Sequence, residues 1–114
     1  MHHFEKLEVW RRSCRLVEEV YRTLRDTRDY AFRDQMIRSA LSIPSNIAEG
    51  SERGSEPDFA KFLRYSKGSA AELRTQLAIA ANLSIIEANQ ARELVAECKE
   101  LSAMLEGLIR SLRH

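Results

Sequence analysis

At 114 residues the chain has room for one hydrophobic core and no second. A hydrophobic content of 44% beside 31% charged residues, with only four glycines and two prolines, excludes disordered, collagen-like and disulfide-dense classes and points to helix almost throughout. Eighteen basic against seventeen acidic residues leave a net charge of +1, so no global field recommends nucleic acid, and no apolar stretch approaches the roughly 18 residues that a membrane span needs.

In the first predicted helix Leu7, Trp10, Cys14, Val17, Tyr21 and Leu24 recur at steps of three and four. That spacing makes one continuous apolar seam, widened on one side by Val9, Leu16 and Val20. The seam stops at the charged connector Asp26 to Asp29. A second helix begins near Tyr30, where Phe32, Met36, Ala40, Ile43 and Ile47 carry the same period past Pro44. Proline deletes a helical hydrogen bond and crowds the carbonyl four residues back, so a kink is expected there, while Ile47 keeps the phase and argues against a helix end. Gly50 and Gly54 bracket a polar turn, Ser51 to Ser55, that ends the helix.

The third helix has the clearest start signal, Ser55 followed three residues later by Asp58, with Pro57 in the first turn. Its seam is Phe59, Leu63, Ser66, Ala70, Leu73, Leu77 and Ala80, with Phe62 on the flank. The middle is small, from Ser66 through Gly68, Ser69, Ala70 and Ala71, and should let the second helix approach closely. Ser84 to Asn89 form the next turn, with Ile85 and Ile86 folding back over the bundle end. A fourth helix carries Ala91, Leu94, Cys98, Leu101, Leu105, Leu108 and Leu112. Four helices joined by short turns predict an all-α, antiparallel up-down-up-down four-helix bundle over residues 1–114.

Chemistry is sparse. Cys14 and Cys98 lie far apart, without CxxC spacing, on core stripes, which suits reduced structural thiols. His2, His3 and His114 lie at the chain ends, where neither metal ligation nor acid-base geometry is held, and no glycine loop precedes a Lys-Ser or Lys-Thr pair. The N-terminus MHHFEKLEVW has no apolar signal core, so the expected compartment is the cytoplasm. No metal, cofactor, membrane contact or enzymatic activity is expected.

Two sets of polar residues stand out. Glu49 and Arg53 are four apart with the acid leading, and Ser69, Glu72 and Gln76 make a polar stripe on the third helix. The expectation is that this stripe meets Arg38, Ser42, Asn46 and Glu49 across the contact between the second and third helices, forming a network that fixes register. Basic residues form two further stripes, Arg11, Arg15, Arg22 and Arg25 on the first helix and Lys61, Arg64, Lys67 and Arg74 on the third. Residues 1–28 hold seven Lys or Arg against five Asp or Glu, and repeated around an oligomer such stripes would offer phosphate contacts. Exposed aromatics are not interleaved with them, which leaves base stacking unsupported.

WRRSCRLVEEVY, QMIRSALSIPSNIAEGSERGS and FAKFLRYSKGSAAELRTQL together resemble the family of 23S rRNA intervening-sequence proteins. The resemblance spans nearly the whole chain, is strongest from Gln35 to Gln76, and rests in the fourth helix on the leucine pattern alone. It implies a four-helix bundle assembled as a homopentamer, with no established enzymatic activity. It also implies a distant likeness to the accessory protein of diversity-generating retroelements, which is strongly basic and binds nucleic acid; the net charge of +1 departs from that pattern. The expected role is thus a non-enzymatic oligomeric scaffold or accessory protein, the alternative being a nucleic-acid-binding accessory factor.

Overall fold

A computed structural model describes residues 3–112. A 3-10 turn over Phe4–Lys6 leads into α1 (Glu8–Thr23), α2 (Tyr30–Ser51), α3 (Glu56–Asn82) and α4 (Ala88–Ser111), and there is no strand among the described residues. The helices form a rod of 44 × 20 × 19 Å in which each packs against two neighbours and none against the helix across the diagonal. The arrangement is a square, with α1 between α2 and α4, and α3 between the same two.

The core is the set of faces where those neighbours meet. Met36, Ala40, Ile43 and Ile47 of α2, Phe59, Leu63, Ala70, Leu73 and Leu77 of α3, and Cys98, Leu101 and Leu105 of α4 are essentially inaccessible. The third and fourth helices pack much as their periodicity predicts, although Ile109, rather than Leu108, is the buried residue near the end of α4. In α1 the seam is rotated. Val9, Leu16, Val20 and Leu24 face the core, whereas Trp10, Cys14 and Val17 are half-buried at its edge and Tyr21 is exposed. Both sets follow three-four spacing, and the core took the set whose aliphatic side chains fit between α2 and α4. Phe4 meets the displaced Trp10 edge to face at 5.3 Å.

Polar ties hold α1 to α4. The Arg12 guanidinium donates to both carboxylate oxygens of Glu97 at 2.6 and 3.0 Å, and Gln90 Nε2 donates to Thr23 Oγ1 at 3.1 Å. The bidentate pairing keeps the Arg12 pKa above its ordinary value.

The helix ends follow their residues. Ser55 Oγ accepts from Asp58 N at 3.3 Å, with Pro57 in the first turn of α3, as the capping pattern predicts. Glu87, not singled out by the sequence, caps α4 by accepting from Asn89 N and Gln90 N, each at 3.0 Å. These backbone bonds hold its carboxyl below the usual range. Its contribution is therefore full above the ordinary carboxylate pKa and is lost as pH falls through the lowered one. Glu87→Ala should lower the melting temperature at neutral pH, with the gap from wild type closing in acid; a gap independent of pH would show that the cap does not depend on the charge. In the preceding turn, Ile86 is buried and Ile85 packs against the core, which closes that end of the bundle.

The glycines do separate jobs. Gly54 has φ +92°, a conformation that side chains disfavour, and it turns the chain from α2 into α3. Gly50 lies inside α2, buried, where an added Cβ would sit 2.6 Å from Phe62 Cβ and 3.3 Å from the Phe59 carbonyl oxygen. Gly107 lies on the exposed side of α4 with nothing within 4 Å of an added Cβ. Gly107→Ala should stabilise the fold by about 0.5–1 kcal/mol through helix propensity, read as a higher urea midpoint.

Candidate functional site

The polar residues of the SIPSNIAEG segment are organised along α2. The helix runs through Pro44 without ending. Ser42 Oγ donates to the Arg38 carbonyl at 3.0 Å, Asn46 Nδ2 donates to the Ser42 carbonyl at 2.8 Å, and Arg53 pairs with Glu49 at 3.1 Å. The first two bonds reach one turn back along the same helix, where a short polar side chain finds a backbone carbonyl, and the third ties the turn after α2 to its last turn. Arg53 also lies over the Phe62 ring, 4.7 Å from its centroid.

On α3, Ser69 is half-buried and Glu72 is exposed, while the buried Gln76 Oε1 has no hydrogen-bond partner. No hydrogen bond crosses from Arg38, Ser42, Asn46 or Glu49 to Ser69, Glu72 or Gln76. The expected cross-helix network is thus replaced by local bonds. A polar link between α2 and α3 is made by Ser66, fully buried, whose Oγ donates to the Ile43 carbonyl at 2.9 Å. Periodicity puts Ser66 on the apolar seam as a small residue, and its hydroxyl is the signal of this link.

The basic stripes are partly neutralised. On α1, Arg11 pairs with Glu8 at 3.4 Å and Arg22 with Glu19 and Glu18 at 3.0 and 3.5 Å. Arg25 lies 5.9 Å from the Tyr21 ring centroid, and Arg15 is exposed. On α3, Lys61 lies near the Phe62 ring, Arg64 is exposed, and Lys67 pairs with Glu106 of α4 at 2.8 Å. Arg110 joins the same carboxylate at 3.0 Å, and the two cations hold Glu106 below the usual carboxylate range. Arg74 lies close enough to Cys98 to act on it electrostatically, yet burial dominates and pushes that thiol up to about 12. Burial, reinforced by Glu18, also raises the Cys14 pKa. Both cysteines are free. His3 is exposed, and His2 and His114 lie outside the described residues. Among the described residues no three His, Cys, Asp or Glu side chains gather to hold a metal, and no helix is long and apolar enough to cross a membrane.

Of the hollows on the surface, one lies over Arg38, Ser42, Ser45 and Asn46 of α2 and mixes polar with apolar groups, and two others are mainly apolar. One hollow between α1 and α2 is lined by Val17, Tyr21, Ile37 and Leu41, with Arg22 and Arg25 at its margin. A second, between α3 and α4, has a floor of Ala78, Ala81, Ala88, Ala91, Val95 and Ala96. Tyr65, Ile79 and Leu83 project from α3 into solvent. The sequence carried this last feature as a second apolar spacing on α3, masked by the stronger core seam.

A square of four helices with one continuous core defines the four-helix-bundle class of protein. The family model for the 23S rRNA-intervening sequence protein matches residues 5–107, and the chain belongs to that family. Its fold is similar to the crystal structure of a protein with unknown function from the S23 ribosomal protein family of Bacteroides thetaiotaomicron. The TM-score is 0.84 at 22% identity, over 90% of this chain and 99% of the other. No curated protein matches the sequence.

Proposed function

We propose that the protein is a non-enzymatic helical scaffold that acts as a homo-oligomer, a pentamer on the family resemblance, with its helices in up-down-up-down order. The observation that carries self-association is that large apolar side chains are exposed in lines rather than singly. Tyr65, Ile79 and Leu83 run along one side of α3, and Tyr21 and Leu41 face across the α1–α2 hollow. The helix order is supported by pairings that descend as they ascend: Ile43 with Ser66 and Gly50 with Phe59 between α2 and α3, Arg12 with Glu97 and Thr23 with Gln90 between α1 and α4. A non-catalytic role is supported by how the reactive groups are used, since the Ser42 and Ser66 hydroxyls donate to backbone carbonyls and Cys98 is held protonated. Light scattering on the eluting full chain should give five times the protomer mass; a monomer across the concentration range would sink this reading.

A second reading, phosphate contacts by the helical stripes, is favoured by Arg15 and Arg25, exposed on α1 with no carboxylate of the described residues in ion-pair range. It predicts duplex RNA or DNA binding that weakens steeply with salt and disappears in Arg15→Glu/Arg25→Glu. Binding that survives in that variant would count against it.

A further inference from the structure

We propose that the outer seam of α3 in one copy seats in the alanine groove between α3 and α4 of the next copy, making a head-to-tail contact that closes into a ring. The proposal rests on the self-association reading and names the two surfaces that carry it. The seam is a second three-four repeat, running from Tyr65 through Gly68, Glu72 and Gln76 to Ile79 and Leu83. Its three large apolar members are 50, 44 and 61% exposed, although they share a helix with a complete inner seam. The groove offers the opposite shape. Its floor is mostly methyl groups, which admit another helix closely, and Asn82, Arg92 and Lys99 line it. Phosphate backbones are gripped by polar donors, whereas a floor of alanines fits an apolar ridge.

Level and charge agree with the fit. Lys67 bonds Glu106, so seven residues further along α3 and seven back along α4, Arg74 stands level with Lys99. By the same count Ile79 stands level with Leu94, beside Val95 of the groove, and Leu83 lies a turn nearer the α3–α4 turn, by Ala88 and Ala91. Copies placed side by side with parallel axes and no shift along them therefore bring Ile79 and Leu83 to the alanines of the neighbour. The same placement brings Glu72 to the height of the neighbour's Lys99 and Arg74. A contact without translation is the condition for a closed ring rather than a helical filament.

The turn from copy to copy also agrees. Lys67 and Arg74 mark the α4 side of α3; at ~100° per residue, the Tyr65–Leu83 seam falls on the other side, toward α2. Seam and groove therefore look out through adjacent faces of the square. Head-to-tail rings need contact directions about 90° apart for four copies and about 108° apart for five. Adjacent faces of a square bundle meet that condition, and opposite faces do not.

The test uses the full chain, with circular dichroism to verify helical content and light scattering to read mass. Leu83→Glu places a charge on the seam and Ala96→Glu places one in the groove, both at exposed positions. Each variant alone should fall to the mass of one protomer. Mixed in equal amounts, they should double to a one-to-one dimer, because one intact seam still meets one intact groove. A wild-type oligomer unchanged by either substitution, broken by only one of them, or yielding variants that stay monomeric when mixed would overturn this contact while leaving self-association standing. A monomeric wild type would overturn both.

Discussion

Gly50→Ala should destabilise the protein by about 1–3 kcal/mol, the usual cost of overpacking a filled core, which for a chain of this length lowers the melting temperature by roughly 4–12 °C. The reason is the distance between backbones rather than the chemistry of the side chain. At Gly50 the second helix lies so close to the third that a methyl group would stand 2.6 Å from Phe62 Cβ and 3.2 Å from Phe59 Cδ1. Alanine is the better helix former, so propensity alone predicts a gain of about 1 kcal/mol, and the sign of the measured change decides between propensity and packing. Rotation of the Phe62 ring cannot relieve the contact, because the nearest atom is its Cβ. Alanine at position 62 retains that atom, so Gly50→Ala should cost a similar amount in a Phe62→Ala background. A melting temperature equal to or above wild type would show that α2 and α3 can part by a few tenths of an ångström at little cost.

What the sequence could show here depended on whether a feature is local. The Ser55 cap and the seams of α3 and α4 were legible, because a cap joins residues three apart and the inner stripe of each helix is the fuller of its apolar repeats. The first helix was legible as a helix but not in rotation: Val9, Leu16 and Val20 and the set Trp10, Val17 and Tyr21 have equally regular spacing, and only the neighbouring helices choose between them. The polar motif pairs locally for a related reason. Ser42 and Asn46 donate one turn back along their own helix instead of across to Ser69, Glu72 and Gln76, and Gln76 Oε1 is left without a partner. Gly50 and Gly54 looked like two ends of one turn, yet one is a packing residue inside a helix and the other a backbone residue at positive φ. Within the family motif, Gly50 thus records how closely two helices approach.

The largest single loss is expected from Leu73→Ala, about 3–5 kcal/mol, at the upper end for removal of a leucine from a core. That range reflects the transfer of the isobutyl group to water plus the cavity left behind, and it is wide because sites differ in how far they can collapse. Collapse is opposed here. Leu73 is fully buried in the middle of α3, and the spacing of α2 and α3 is already set by contacts that cannot shorten: the Ser66 hydroxyl on the Ile43 carbonyl at 2.9 Å and Gly50 against Phe62. The void therefore persists. Urea unfolding should show a lower midpoint with the slope unchanged, since the same surface is exposed on unfolding. Tyr21→Ala, on the stripe that sequence periodicity alone would place in the core, should cost far less in the monomer, because that ring is 55% exposed and loses chiefly its contact with Arg25. If the two losses were equal, α1 would be rotated from the orientation that buries Leu16 and Val20.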